Sequence, residues 1–261
     1  MRAFACALIS LALAAPAAAA PPARVASLKL CTDELLLLLA DPGQIATVTH
    51  LSQNPHEYAG WREARRYPKN DGSLVDVARR RVDLVLDMGG GPRDTARIAD
   101  KLGIRLVTLP YPQSLADIEA SVRTVAAALG RPSAGERVLT EMAQLRRTTP
   151  PSAIETVWLG GGGRSLPAEG LGAQWMALAG LRQRPLRGDR ISLEQLLTRP
   201  PAILLRSDYR LGQYSGEQRW LAHPLARGAK ARTLRTDGRP WTCMGPAMTA
   251  EVRRLRRAAT R

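Results

Sequence analysis

Histidine is nearly missing from this chain: His50, His56 and His223 are the only three among 261 residues. A dedicated zinc site needs several nitrogen, sulfur or carboxylate donors at short spacings. His50 and His56 are too far apart to neighbour each other on one helix, no acidic cluster joins them, and His223 in AHPLA reads as a packing or surface residue. Phenylalanine is scarcer still, with Phe4 alone, so the core must be aliphatic, with Trp and Tyr supplying the aromatic contacts. Lysine is limited to Lys29, Lys69, Lys101 and Lys230, and the net charge of +15 is otherwise arginine. Those arginines are scattered rather than striped, which speaks for a general preference for Arg over Lys and against a nucleic-acid partner. Beyond the first residues there is no apolar run of the roughly 18 residues that a membrane span requires. No G-x-S-x-G and no G-x-x-x-x-G-K-[ST] occurs, so neither a hydrolase nucleophile elbow nor a phosphate loop is encoded. GGGPRD does follow a strand, but the next strand ends in Leu109 and Pro110 instead of an acidic residue, which removes the dinucleotide fingerprint.

Cysteine is also sparse: Cys6, Cys31 and Cys243. The opening MRAFACALISLALAAPAAAAPPA has one positive residue, an apolar run, and small residues suited to cleavage, so residues 1–20 read as a signal peptide. Its removal would take Cys6 and Phe4 and deliver a periplasmic protein. In that oxidising compartment Cys31 and Cys243 are either a disulfide or two thiols, and their spacing does not choose. As a thiol, Cys31 at a helix start, with His50 near in sequence, would be the nucleophile of a secreted α/β enzyme. Cys31, His50, His56, Tyr58 and Cys243 are also residue types that suit a soft or borderline metal ion, with packing as the plainer reading.

What the chain does hold is an internal echo. SLVDVARRRVDLVLD begins at Ser73 and SLEQLLTRPPAILLR at Ser192, an offset of 119 residues (192 minus 73). Ser73 and Ser192 each suit a helix cap, and each copy runs from a short helix into an apolar strand. Either any two helix–strand units look this similar, or the molecule has two like halves. VASLKL, IATVTHL, DLVLDM and IRLVTLP alternate with helical segments, and the alternation restarts at IETVWL and continues to ARTLRT. That pattern predicts an α/β fold of two Rossmann-like lobes with parallel sheets, over residues 21–132 and 150–261. Two consecutive helices separate the halves, each with a capping-box pattern, Ser114 with Asp117 and Ser133 with Glu136. The second, residues 133–149, is long enough to join the lobes. Trp175 lies in an apolar helix and reads as core; Trp61 and Trp241, in polar loops, read either as contact surface or as core.

SLKLCTDELLLLLADPGQIATV, VDLVLD, KLGIRLVTLP, SLADIEASVRTVAAALGR, the helix AGLRQ, SLEQLLTRPPAILL and RPWTCMGP, taken in order, resemble the periplasmic substrate-binding proteins of iron-chelate and vitamin B12 ABC importers, the class III binding-protein family. The resemblance implies two lobes joined by a single long interlobe helix, with the ligand in the cleft between them and little hinge closure. It implies a non-catalytic, cofactor-free monomer that takes a small-molecule metal chelate (cobalamin, a ferric siderophore or haem) to an inner-membrane ABC permease and binds no nucleic acid. Matched onto this sequence, the cleft residues are Cys31, Thr32, His50, His56, Tyr58, Trp61, Gly90 and Arg93 from the first lobe. From the second they are Gly162, Arg164, Arg206, Tyr209, Trp241, Cys243 and Met244. Arg93, Arg164 and Arg206 would pair with ligand carboxylates or phosphate, and Tyr58 or a histidine would ligate haem iron. In the family an acidic residue on each lobe docks on the permease. Glu194 matches that position in the second lobe; the repeat pairs it with Val75, leaving the neighbouring Asp76 as the substitute. The resemblance also puts Cys31 and Cys243 on opposite cleft walls, where a disulfide would tether the lobes and free thiols would face the ligand. A secreted cysteine enzyme and a free metal-ion receptor are the competing readings.

Overall fold

A short apolar strand followed by a helix has no local antiparallel partner, so it pairs in parallel with a strand reached one helix later. The computed structural model, which describes residues 20–90, 94–209, 216–227 and 230–260, builds both halves this way. The expected signal peptide lies outside the described residues, apart from its last position. The first lobe runs β1 (Val25–Ser27), α1 (Leu30–Leu39), β2 (Ile45–Thr49), α2 (Trp61–Ala64), β3 (Lys69–Asn70), α3 (Leu74–Ala78), β4 (Leu84–Met88), α4 (Thr95–Lys101) and β5 (Arg105–Leu109). Two helices follow, α5 (Leu115–Ala128) and α6 (Pro132–Arg147). The second lobe runs β6 (Ile154–Leu159), α7 (Leu171–Leu178), β7 (Leu181–Gln183), α8 (Leu193–Thr198), β8 (Ile203–Ser207), α9 (Gly216–Ala222), α10 (Pro224–Arg227), β9 (Arg232–Thr236), α11 (Pro240–Cys243) and α12 (Met248–Ala259).

The sheets are ordered β3-β2-β1-β4-β5 and β7-β6-β8-β9, every pair parallel. Without the short edge strand β3, the two orders coincide strand for strand. The echo in the sequence therefore marks equivalent places: Ser73 Oγ accepts the Asp76 N–H at 3.2 Å to open α3, and Ser192 Oγ accepts the Gln195 N–H at 3.1 Å to open α8. The strands that follow, β4 and β8, each lie beside the first strand of their lobe. Strand periodicity divides their side chains between two faces. Leu84, Leu86 and Met88 pack with α1, α5 and α6, while Val85 packs with α3 on the other face; Ile203 and Leu205 against Leu204 repeat the division. Among the described residues no helix is long and apolar enough to cross a membrane.

Three expectations need correcting. The 16-residue α6 does not join the lobes alone, because α5 lies antiparallel to it and both enter the two cores. Val122 and Val125 of α5 pack in the first core and Ile118 in the second; Ala134 and Leu139 of α6 pack in the first, Met142 and Leu145 in the second. The capping box at Ser133 does not form. Pro132 opens α6 one residue earlier, behind Arg131, because proline's fixed φ and missing N–H suit a first helical position. AGLRQ is not helical either: Gly180, at φ 76°, ends α7, and its carbonyl accepts the Ile154 N–H before the chain continues as the edge strand β7.

Candidate functional site

In a parallel sheet the loops leaving the strand C-termini gather along one edge, where such folds place ligands. Here the two edges face each other and touch. Cys31, opening α1 after β1, is bonded to Cys243 at the end of α11, across 212 residues of sequence. The Tyr209 hydroxyl, past β8, donates to Glu57 Oε2 at 2.6 Å, past β2. Arg239 Nη1 donates to the Pro55 carbonyl at 2.8 Å, and the Ala247 N–H donates to Glu34 Oε1 at 3.0 Å. The disulfide settles the choice that spacing left open. With its sulfur bonded, Cys31 offers no thiolate, so the enzyme reading has no nucleophile in this form.

On the β4 and β5 side of the disulfide lies a cavity of about 360 Å³ between the lobes. Cys31, Met88, Tyr111 and Gln113 line it from the first lobe; Leu166, Glu169, Gly172 and Met244 are among the residues opposite. Tyr111 is 64% exposed there, and its ring occupies the space a side chain at Gly89 would need, while Gly89 holds φ at 78°. On the β2 side lies a second cavity of about 360 Å³, bordered by His56, Asp208, Arg235, Asp237, Arg239 and Arg254. Its arginines are already engaged: Arg235 with Asp208 at 2.7 Å, Arg239 with Asp237 at 2.6 Å and Arg254 with Glu251 at 2.6 Å. Burial pushes the Asp237 carboxyl up, but the Arg239 hydrogen bonds outweigh it and hold the group below its usual range.

A third cavity, of about 250 Å³, lies where α1, α6 and the start of α12 meet, and Tyr58 and Glu34 line it. Two buried acids stand side by side on α1. Asp33 accepts the Thr49 N–H and hydroxyl, yet burial raises its carboxyl to about 6; burial raises Glu34 to about 7, with only the Ala247 N–H pulling the other way. Burial, then the nearby Glu34 and Asp33, pushes the Tyr58 phenol above its ordinary value.

The residues matched from sequence therefore scatter. Cys31, Cys243 and Met244 line the first cavity, His56 the second and Tyr58 the third. Thr32 does not face the cleft: it is fully buried, and its hydroxyl shares a hydrogen bond of 2.7 Å with Ser27 Oγ, stabilising the start of α1. Trp241 is core, its Nε1 donating to Thr236 Oγ1 at 2.8 Å and its ring 5.9 Å from that of Trp158. Trp61 stacks under Arg62 and Arg65, both at 4.4 Å, and the His50 ring sits 3.4 Å from the Asn70 carbonyl. Gly90 is exposed with φ 75°, Arg206 is half-buried on β8, and Arg164 pairs with Glu217 at 2.7 Å. Gly162 and the exposed Glu194 border a separate surface hollow; Asp76 is half-buried, accepting the Asp71 N–H at 3.3 Å. Arg93 lies outside the described residues. Sequence reasoning missed Tyr111, Gln113 and Glu169, although Tyr111 directly follows a parallel strand and its proline, where the strand-end rule could have found it.

No family model matches the chain, and no curated protein does. Solved structures do. A periplasmic haem-binding protein from Pseudomonas aeruginosa is 19% identical with a TM-score of 0.65, covering 91% of this chain and 92% of its own. The periplasmic vitamin B12-binding protein BtuF of Vibrio cholerae is 16% identical with a TM-score of 0.63, over 91% and 96%. The periplasmic haem-binding protein RhuT from Roseiflexus sp. RS-1, in apo form, is 22% identical with a TM-score of 0.61, over 90% and 98%. At such identities the likeness is one of fold, and the fold is that of the two-lobed periplasmic binding proteins which the sequence resembles.

Proposed function

We propose that this protein is a non-catalytic periplasmic receptor that captures a metal chelate between its lobes and passes it to an inner-membrane ABC permease. The observation that carries the reading is the cavity beside the disulfide, walled by strand-end loops of both lobes. Its volume of about 360 Å³ falls within the roughly 300–1,000 Å³ usual for small-molecule sites. Its surface suits a flat, largely apolar ligand: the thioethers of Met88 and Met244, the Leu166 side chain, and an exposed Tyr111 whose phenol is an oxygen donor for ferric iron. Haem is the chelate this lining favours, with cobalamin and ferric siderophores as alternatives. Carboxylates on the ligand would pair with Arg164 or Arg206, as the resemblance implies. Glu194, exposed in the first turn of α8, and Asp76, at the corresponding turn of α3, are the permease-docking acids in this reading, and the receptor acts as a monomer.

A titration of the purified protein, lacking residues 1–20, against haemin, cyanocobalamin and a panel of ferric siderophores tests the proposal. Saturable one-to-one quenching of tryptophan fluorescence, or for haemin a shifted Soret band, is expected with one chelate, and Tyr111→Phe should weaken haemin binding by about tenfold or more, as loss of a metal ligand would. Flat traces across the whole panel would sink the reading. Zinc and manganese salts serve as controls for the free-ion alternative, for which no group of three or more His, Cys, Asp or Glu among the described residues is placed to hold a metal ion.

A further inference from the structure

We propose a second ligand site in this protein: the cavity between α1, α6 and α12 binds a small primary amine with an apolar body. The cavity, about 250 Å³, exceeds the roughly 150 Å³ in which benzene is held by an engineered apolar site. Leu37, Leu38, Val138 and Pro246 give it apolar walls. Its ionisable lining is one-sided: Glu34, Glu63, Glu141 and the Tyr58 phenol, with no arginine or lysine among the described residues, in a chain whose net charge is +15. The rim carboxylates do have exposed partners outside the cavity, Arg66 at 2.9 Å from Glu63 and Arg253 at 3.4 Å from Glu141.

Glu34 is different, being 4% exposed. Its Oε1 accepts the Ala247 N–H, and Glu34 and Tyr58 both line the cavity. A lone buried carboxylate is costly unless a cation meets it, and burial holds this one up to about 7. An ammonium group supplies the missing charge together with three N–H donors, enough for the second Glu34 oxygen and the Tyr58 oxygen. Exposed carboxylates at the mouth favour the approach of a cation. A metal ion fits less well, because the acids are not grouped closely enough to hold one. The walls come from both lobes and from α6, so an occupant would also bridge the lobe junction. This site is separate from the chelate cavity and shares no lining residue with it.

Calorimetric titration of the full mature protein with benzylamine, and in parallel with benzyl alcohol, tests the assignment. Saturable one-to-one binding of benzylamine is expected, with the alcohol about tenfold weaker or worse, the difference a charge-assisted hydrogen bond makes. Glu34→Gln, which keeps an oxygen for the Ala247 N–H, should lower benzylamine affinity by about tenfold or more. Ala250→Trp fills the mouth from an exposed position and should abolish binding without disturbing the core. Equal binding of amine and alcohol, undiminished benzylamine binding in both variants, or no saturable binding at all would each overturn the proposal.

Discussion

At the scale of the residue, Glu34 and its neighbour Asp33 make stability depend on pH in an unusual direction. Burial raises Glu34 from 4.5 to about 7 and Asp33 from 3.8 to about 6. Between the ordinary and the raised values the folded protein holds protons that the unfolded chain has released. Stability from these groups is therefore complete below the ordinary values and lost as pH rises through 6 and 7. For Glu34 the loss is on the order of 3 kcal/mol. Glu34→Gln removes the charge, so it should be more stable than the parent near pH 8 and indistinguishable near pH 4, read as urea midpoints at the two pH values. Gly245 makes a second residue-level point. A Cβ there would overlap the Glu34 carboxylate across the lobe junction, so Gly245→Ala should push the lobes apart and lower the melting temperature.

At the scale of the element, the two copies of the helix–strand unit predict equal responses. Ser73 and Ser192 each accept an N–H that the first turn leaves unpaired. Ser73→Ala and Ser192→Ala should each cost about 1 kcal/mol in chemical denaturation, and jointly about the sum, since the caps belong to different lobes. These elements were legible because serine caps and apolar strands act locally. The start of α6 was misread because Ser133 and Glu136 satisfy the capping pattern while Pro132, one residue earlier, satisfies a different rule that prevails. The edge strands β3 and β7 were missed because strands of two or three residues carry no periodicity; they exist only because a sheet edge is there to pair with.

At the scale of the whole molecule, the Cys31–Cys243 bond ties the two lobes together covalently, beside the packing of α5 and α6 in both cores. It closes a loop with a sequence separation of 212 residues, for which the chain-entropy account gives stabilisation of roughly 5 kcal/mol. Replacing both cysteines by serine should lower the denaturation midpoint and, by small-angle scattering, enlarge the particle as the lobes separate. The Tyr209–Glu57 and Arg239–Pro55 contacts span the same junction, so Tyr209→Phe should add to the enlargement in the serine background. An unchanged radius in both would show that α5 and α6 alone set the lobe arrangement.

The α/β class, the two like halves and the helices between them were readable from the sequence, because strand alternation, caps and glycine stops are written in neighbouring residues. The tertiary structure alone decided which residues share a cavity. Thr32 and Trp241 sit in segments that look like cleft loops, yet the hydroxyl of one and the ring of the other turn inward, where Ser27 and Thr236 satisfy them. Cys31 and Cys243 could equally have been thiols until the two lobes placed their Cα atoms 5.2 Å apart. Glu34 reads as an ordinary helix-start acid in LCTDELL; in the fold the turn before α12 lies against it, with Gly245 beside its carboxylate and the Ala247 N–H donating to it, and these residues, more than two hundred positions away, contribute to the burial that gives it its chemistry.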